Sequence, residues 1–343
     1  MRENTMRIAL VTDAWTPQRN GVVRVLATLA ATLGDLGHLI RVIEPSAFVT
    51  IPCPSYPEIP LALLPGRKVA RLLEEFGPDA VHIATEGPLG WAARSWCQKH
   101  RRPFTTAYHT KFPEYISTRT GMPVSWPYAL MRRFHGPAAA VLCPSPSVHR
   151  ELLQKDFANA LPWSHGVDTQ VFQPGPKDFL DLPRPIFMYV GRVAVEKNLP
   201  AFLGLDLPGS KVVVGDGPAR AGLMKHFADT HFRIVNGDQE LARAYRAADV
   251  FVFPSRTDTF GLVMLEALAS GVPVAAFPVT GPRDVVGDAK VGVLDEDLRA
   301  AALRALSIPP EDCRRHASRF SWARVAAEFL SHLRPFHPQA RAG

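Results

Sequence analysis

Short apolar runs alternate with amphipathic stretches along this chain, and the alternation is regular enough to predict its elements. "RIALVTD" reads as a buried strand ending in a loop, "GVVRVLATLAATLGDLG" as a helix closed by Gly37, and "HLIRVIEP" as the next strand. "KVARLLEEFGP" follows as a helix stopped at Gly77 and Pro78, then "DAVHIAT" as a strand, "LGWAARSWCQKH" as a helix and "PFTTAYHT" as a strand. A turn-rich interval from Asp168 to Pro185 breaks the rhythm. It restarts with "IFMYVGRV", "KVVVGDGP", "FRIVNG", "DVFVFPS" and "PVAAFP" as strands, with helical runs between them. Strands that are apolar throughout and separated by helices imply parallel sheets covered on both faces. The predicted class is α/β, with two doubly wound Rossmann-like domains facing across a cleft. The expected division is 1–169 for the first domain, 170–184 for a linker and 185–320 for the second, with a final helix at 321–334 joining the first domain.

Length and composition agree with this division. A chain of 343 residues exceeds a usual single core, and 47% hydrophobic with 21% charged residues is ordinary for a globular protein. Cys53, Cys97, Cys143 and Cys313 have no metal-ligand spacing and suit reduced, inert thiols in a cytoplasmic protein. The apolar run "IALV" before Asp13 is too short for a signal peptide. Gly261–Gly281 has Glu266 as its only charge and nearly the length of a bilayer span, but Gly271 and Pro273 divide it into a short helix and a buried strand.

Charge adds one feature. The chain carries 39 Lys and Arg against 32 Asp and Glu, a net +7. Between Arg94 and Arg133 stand eight bases and one acid, Glu114, an excess equal to that of the whole chain. A solvated face, an anionic membrane surface and a nucleic acid are the three readings of such a segment.

Candidate chemistry is expected in the loops beyond the carboxyl ends of the strands, where open α/β sheets bind ligands. "YVGRVAVEKN" puts Arg192 and Lys197 in one such loop, suited to a diphosphate. "VVVGDGPAR" has Gly215 and Gly217 but Arg220 where a dinucleotide fingerprint needs a third glycine, so it reads as a tight turn or a loop beside a base. In "TDTFGLVMLEALASG", Gly261 admits a ligand to the start of a helix whose free amides attract anions. Asp258 and Glu266 stand eight residues apart, which on one helix returns them to nearly the same face, to accept hydroxyls of one ligand. The bland alternative is that Asp258 caps the helix and Glu266 pairs with a base. His109 lies just past a strand in "TAYHTKFPEY", and "TDAWTPQRNGVVR" forms an aromatic-rich loop closing on Asn20 and Gly21.

Together these segments, with "SHGVDTQVF" and the tryptophan-bearing final helix, resemble retaining glycosyltransferases of the GT-B fold, in the large family numbered four (glycosyl transferases group 1). The resemblance covers nearly the whole chain. It implies that Arg192 and Lys197 hold the donor diphosphate, assisted by the amides of Phe260, Gly261, Leu262 and Val263. It implies that Glu266 binds the ribose, that Asp258 and His109 meet the donor sugar, and that Gly21 and Gly215 belong to loops approached by the donor. It further implies a reaction with no cofactor and no metal, which leaves the acidic Asp295–Asp297 as a surface turn. Two departures stand out: Asp258 occupies a position where the family usually has Glu, and His165 one where it often has Asn.

The basic segment falls in the domain that receives the acceptor in this fold class. Lys111, Arg119, Trp126, Arg132 and Arg133, with Tyr128, Leu130 and Met131, suit a lipid interface. The expected function is therefore transfer from a nucleotide sugar, UDP-glucose or a related UDP-sugar, to a membrane lipid such as diacylglycerol. The expected place is the inner face of the cell membrane, as a peripheral protein with no nucleic-acid partner. A GDP-mannose-dependent mannosyltransferase acting on a phosphatidylinositol-type lipid or polysaccharide is the enzymatic alternative. A basic membrane- or nucleic-acid-binding protein is the non-enzymatic one.

Overall fold

The computed structural model describes residues 5–18, 20–53 and 56–336, with 56–58, 115, 118 and 119 in backbone only. The chain divides into two compact units, one of residues 1–164 and 322–343, the other of residues 165–321.

The first unit is built on a parallel sheet of β1 (Arg7–Val11), β2 (Leu39–Ile43), β5 (Ala80–Ile83), β6 (Thr105–Ala107), β7 (Ala140–Cys143) and β8 (Ala160–Pro162). Their order is β2-β1-β5-β6-β7-β8. Beside it lies an antiparallel hairpin, β3 (Thr50–Cys53) and β4 (Tyr56–Ala62), which the apolar periodicity does not reveal. Prolines at 52, 57 and 60 obscure the alternation there. The helix Trp322–His332 belongs to this unit: Val325, Ala326 and Phe329 are buried, and the Trp163 indole donates to the Val325 carbonyl at 3.2 Å.

The second unit has a parallel sheet of β9 (Ile186–Val190), β10 (Ser210–Val214), β11 (Thr230–Arg233), β12 (Val250–Phe253), β13 (Val274–Ala276) and β14 (Gly292–Leu294). Its order is β11-β10-β9-β12-β13-β14. Every residue of β9 and β12 is buried, which explains why they read as unbroken apolar runs. The strand order reverses between β9 and β12, and a doubly wound sheet opens a crevice at such a switch point.

The stretch from 170 to 184 is not a bare linker. Phe172 is 1% exposed, Val171, Phe179, Leu180 and Leu182 pack on the second unit's core, and the division falls at Ser164/His165 instead. The Gly261–Gly281 segment folds as the helix Leu262–Ala269 followed by β13, and among the described residues no helix is long and apolar enough to cross a membrane.

Candidate active site

The two strands that flank the switch point of the second unit carry the charged residues of the site. Beyond β9 the chain turns through Gly191 and Arg192 into a single 3-10 turn, Val195–Lys197, ended by Asn198 in the left-handed region. The Asn198 side chain donates to the Pro254 carbonyl beyond β12 at 3.1 Å and ties the two loops together. Across that tie the Lys197 ammonium meets Asp258 Oδ1 at 2.5 Å, with about a fifth of each side chain exposed. Asp258 Oδ2 is buried without a hydrogen-bond partner among the described residues. A stranded carboxylate oxygen is costly unless a donor arrives. The neighbouring Tyr189 phenol is held well above its ordinary pKa, by burial first and by Asp258 next.

Gly215 and Gly217 follow β10 and press on the β9 loop. The Gly191 amide donates to the Val214 carbonyl at 3.0 Å and the Val193 amide to the Asp216 carbonyl at 2.8 Å. Backbone hydrogen bonds therefore join these two loops directly.

Asp258 is not on the helix. The helix Leu262–Ala269 starts after Gly261, which lies in the left-handed region at φ +90°, and no side chain caps it. The expectation that Asp258 and Glu266 share a helix face is thereby corrected: Asp258 stands in the loop, and Glu266 is the fifth residue of the helix. The capping alternative for Asp258 fails on the same geometry. Glu266 is 4% exposed, and the Tyr245 hydroxyl donates to its Oε2 at 2.9 Å. Tyr245 escaped the sequence reading because nothing in "RAYRAADV" separates it from a core aromatic. Phe260 is buried, and the His165 ring packs against it edge-on with centroids 5.2 Å apart. That contact gives His165, left without a role above, a place beside the segment that leads into the helix Leu262–Ala269. The acids at 295–297 form more than a surface turn: Asp297 caps the helix Leu298–Ala305, Glu296 pairs with Arg256 at 2.8 Å and Asp295 with Arg304 at 3.3 Å.

In the first unit the strand order reverses between β1 and β5, where Asp13 is 4% exposed. Its carboxylate accepts from the Leu89 amide at 2.9 Å and the Thr85 hydroxyl at 2.8 Å. Burial nonetheless pushes the carboxyl up from its ordinary value. Gly21 is the first residue of the helix Gly21–Asp35, capped by Asn20, and not part of the preceding loop.

His109 follows β6, and burial lowers its imidazole to about 4, so it is neutral at neutral pH. His82, with Nδ1 2.9 Å from Thr105 Oγ1, is lowered to about 3 by burial first and His109 next. Below pH 6.5 the unfolded chain takes up protons that these folded imidazoles refuse. Their stabilisation is complete above pH 6.5 and is lost as pH falls toward 4, on the order of 3 kcal/mol for each. Asp13, raised, acts in the opposite direction within its own window above 3.8. The melting temperature is expected to fall continuously from pH 7 to 4.5; a flat profile there would contradict this account of the two histidines.

The basic segment divides into residues used inside the fold and residues left outside. Lys111 is 14% exposed and pairs with Glu151 at 2.5 Å, so it does not present its charge to a surface. Arg132 donates to the Lys155 carbonyl at 3.3 Å, and Tyr128 and Met131 are buried, which corrects their assignment to a lipid-facing surface. Trp126 is 66% and Leu130 49% exposed, and Arg133 is exposed on the same helix, Ser125–His135. The Arg119 side chain lies outside the described residues.

In the second unit the structure pairs Lys197 with Asp258 beyond β9 and β12, and sets Glu266 on the helix that follows. Residues 19–171 match Glycosyltransferase Family 4, and residues 184–308 match Glycosyl transferases group 1. The chain is 31% identical over 317 residues to a GDP-mannose-dependent alpha-mannosyltransferase of Mycobacterium tuberculosis, covering 84% of this chain and 83% of that one. It is 28% identical over 365 residues to an alpha-monoglucosyldiacylglycerol synthase of Streptococcus pneumoniae, covering 89% and 79%. Among solved structures, sucrose-phosphate synthase from Thermosynechococcus elongatus matches with a TM-score of 0.78 at 19% identity, over 95% of this chain and 98% of that chain. The chain belongs to the family-4, group 1 glycosyltransferases, with the GT-B fold.

Proposed function

We propose that this glycosyltransferase moves a hexose from a nucleotide sugar, UDP-glucose or a related UDP-sugar, to a membrane lipid such as diacylglycerol, with retention of configuration. Lys197 and Arg192, with the amides at the start of the helix Leu262–Ala269, take up the charge that develops on the departing diphosphate. That positive charge does the work for which other transferases use a metal, so no metal is invoked. Asp258 and Glu266 accept hydroxyls of the donor sugar and the ribose. The pairing of Lys197 with Asp258 holds the ammonium in one place before the donor arrives, which supports this reading.

One observation carries the lipid acceptor. Trp126, Ala129, Leu130 and Arg133 form an exposed stripe at positions i, i+3, i+4 and i+7 of the helix Ser125–His135, while Tyr128, Met131 and Phe134 face the core. An exposed aromatic and leucine beside an arginine suit the boundary between acyl chains and anionic headgroups. The diacylglycerol named for the pneumococcal relative supports the same acceptor class. A peripheral protein on the inner membrane face follows. The mycobacterial relative supports a second donor reading, GDP-mannose, with the same lipid-facing stripe.

The variant Trp126→Ser/Arg133→Ser tests the acceptor assignment. Its partition onto anionic vesicles is expected to fall about tenfold, with loss of glycolipid product and an unchanged melting temperature, because both side chains are exposed. Vesicle binding at the level of the unaltered protein would remove the stripe from the account.

A further inference from the structure

We infer that Tyr245 is a positioning residue: by holding Glu266 it makes the nucleotide site select a ribose over a deoxyribose. The inference rests on the reading that Glu266 meets the ribose. Seven of the eight residues of "LVMLEALA" are apolar, and Glu266 is 4% exposed within that helix. A carboxylate in such a place needs donors to offset its lost hydration. Tyr245 supplies one through its hydroxyl, 2.9 Å from Oε2.

The phenol is itself tightly placed. Tyr245 is fully buried near the end of the helix Gly237–Ala247. Its ring meets Phe172 edge-on at 5.8 Å, and Phe251 of β12 lies 5.9 Å away. Phe172 is anchored in turn, its carbonyl accepting from Arg314 Nη1 at 2.7 Å.

This layer fixes the direction of one carboxylate oxygen. A carboxylate has about four lone-pair positions; the phenol takes one of them and restricts the rotamer in which the carboxylate meets a ligand. A vicinal diol offers two donors to a carboxylate held in that way, and a deoxyribose offers fewer. Without the phenol, Glu266 would still be present but no longer aimed, and discrimination would suffer more than diphosphate binding, which other residues provide.

The test is calorimetric titration with UDP, GDP and their 2′-deoxy and 3′-deoxy forms. The unaltered protein is expected to prefer a ribonucleotide by about tenfold over at least one deoxy form, the worth of a hydrogen bond to a charged group. Tyr245→Phe should shrink that preference to about threefold or less. Tyr245→Phe added to Glu266→Gln should change the preference less than about twofold, because the phenol acts only through the carboxylate. That double variant also avoids a stranded charge if Tyr245→Phe alone melts early. An undiminished preference in Tyr245→Phe would overturn the inference. A protein that binds ribo and deoxy forms equally would remove the ribose contact of Glu266, and one that binds no nucleoside diphosphate would remove the site reading beneath it.

Discussion

Lys197→Ala is expected to cut sugar transfer about 10²- to 10³-fold while leaving vesicle binding intact. Two physical losses combine. The ammonium proposed to stabilise the departing diphosphate is gone, and removing one preorganised donor of this kind costs about 10²- to 10³-fold. Asp258, bonded to Lys197 at 2.5 Å, is also left with a charge that the surrounding protein does not balance. That second loss predicts a lower melting temperature, moderated because about a fifth of each side chain reaches water. Lys197→Ala/Asp258→Asn should recover the melting temperature without recovering turnover. Equal turnover in Lys197→Ala and the unaltered protein would remove this loop from the phosphate site.

Gly215→Ala is expected to be more disruptive than its single methyl suggests. Gly215 lies at φ +148°, and a Cβ there would stand 2.0 Å from the Gly191 carbonyl oxygen and 3.0 Å from its carbon. Both are backbone atoms and neither can swing aside. Relief requires the β9 and β10 loops to separate, which breaks the bonds at Gly191 and Val193 and shifts Arg192 and Lys197. The expected cost is about 3 kcal/mol or more, together with a raised donor KM. Gly222→Ala is the control, since it lies in the helix Arg220–His226 with nothing within 4 Å of its Cβ. That change should be neutral or stabilising by about 0.5–1 kcal/mol. Gly215→Ala with an unchanged melting temperature and donor KM would contradict the described approach of the two loops.

What was legible in the residues follows from burial. β9 and β12 are apolar through their length, and β1 and β10 after their first one or two residues, because helices cover both faces; they announce themselves as runs and set the α/β class. β7, β8 and β14 are not among the strands those runs announce, although β6 and β13 are as short and are. Arg192, Lys197, Asp258 and Gly261 were expected beyond strand ends, and they lie beyond β9 and β12. Other features depend on three-dimensional partners: Lys111 pairs with Glu151 forty positions away, and Tyr245 reaches Glu266 across two helices. A basic segment counted along the chain cannot separate Lys111, turned inward, from Arg133, left outside.

The most direct measurement is a transfer assay with purified protein and vesicles containing diacylglycerol. UDP-glucose, UDP-galactose, UDP-glucuronate and GDP-mannose are supplied separately, and the lipid extract is examined for new glycolipid. The account predicts a glycosylated diacylglycerol from a UDP-sugar. Product from GDP-mannose alone would favour the second donor reading. Donor cleavage with no glycolipid from any of the four would contradict diacylglycerol as the acceptor.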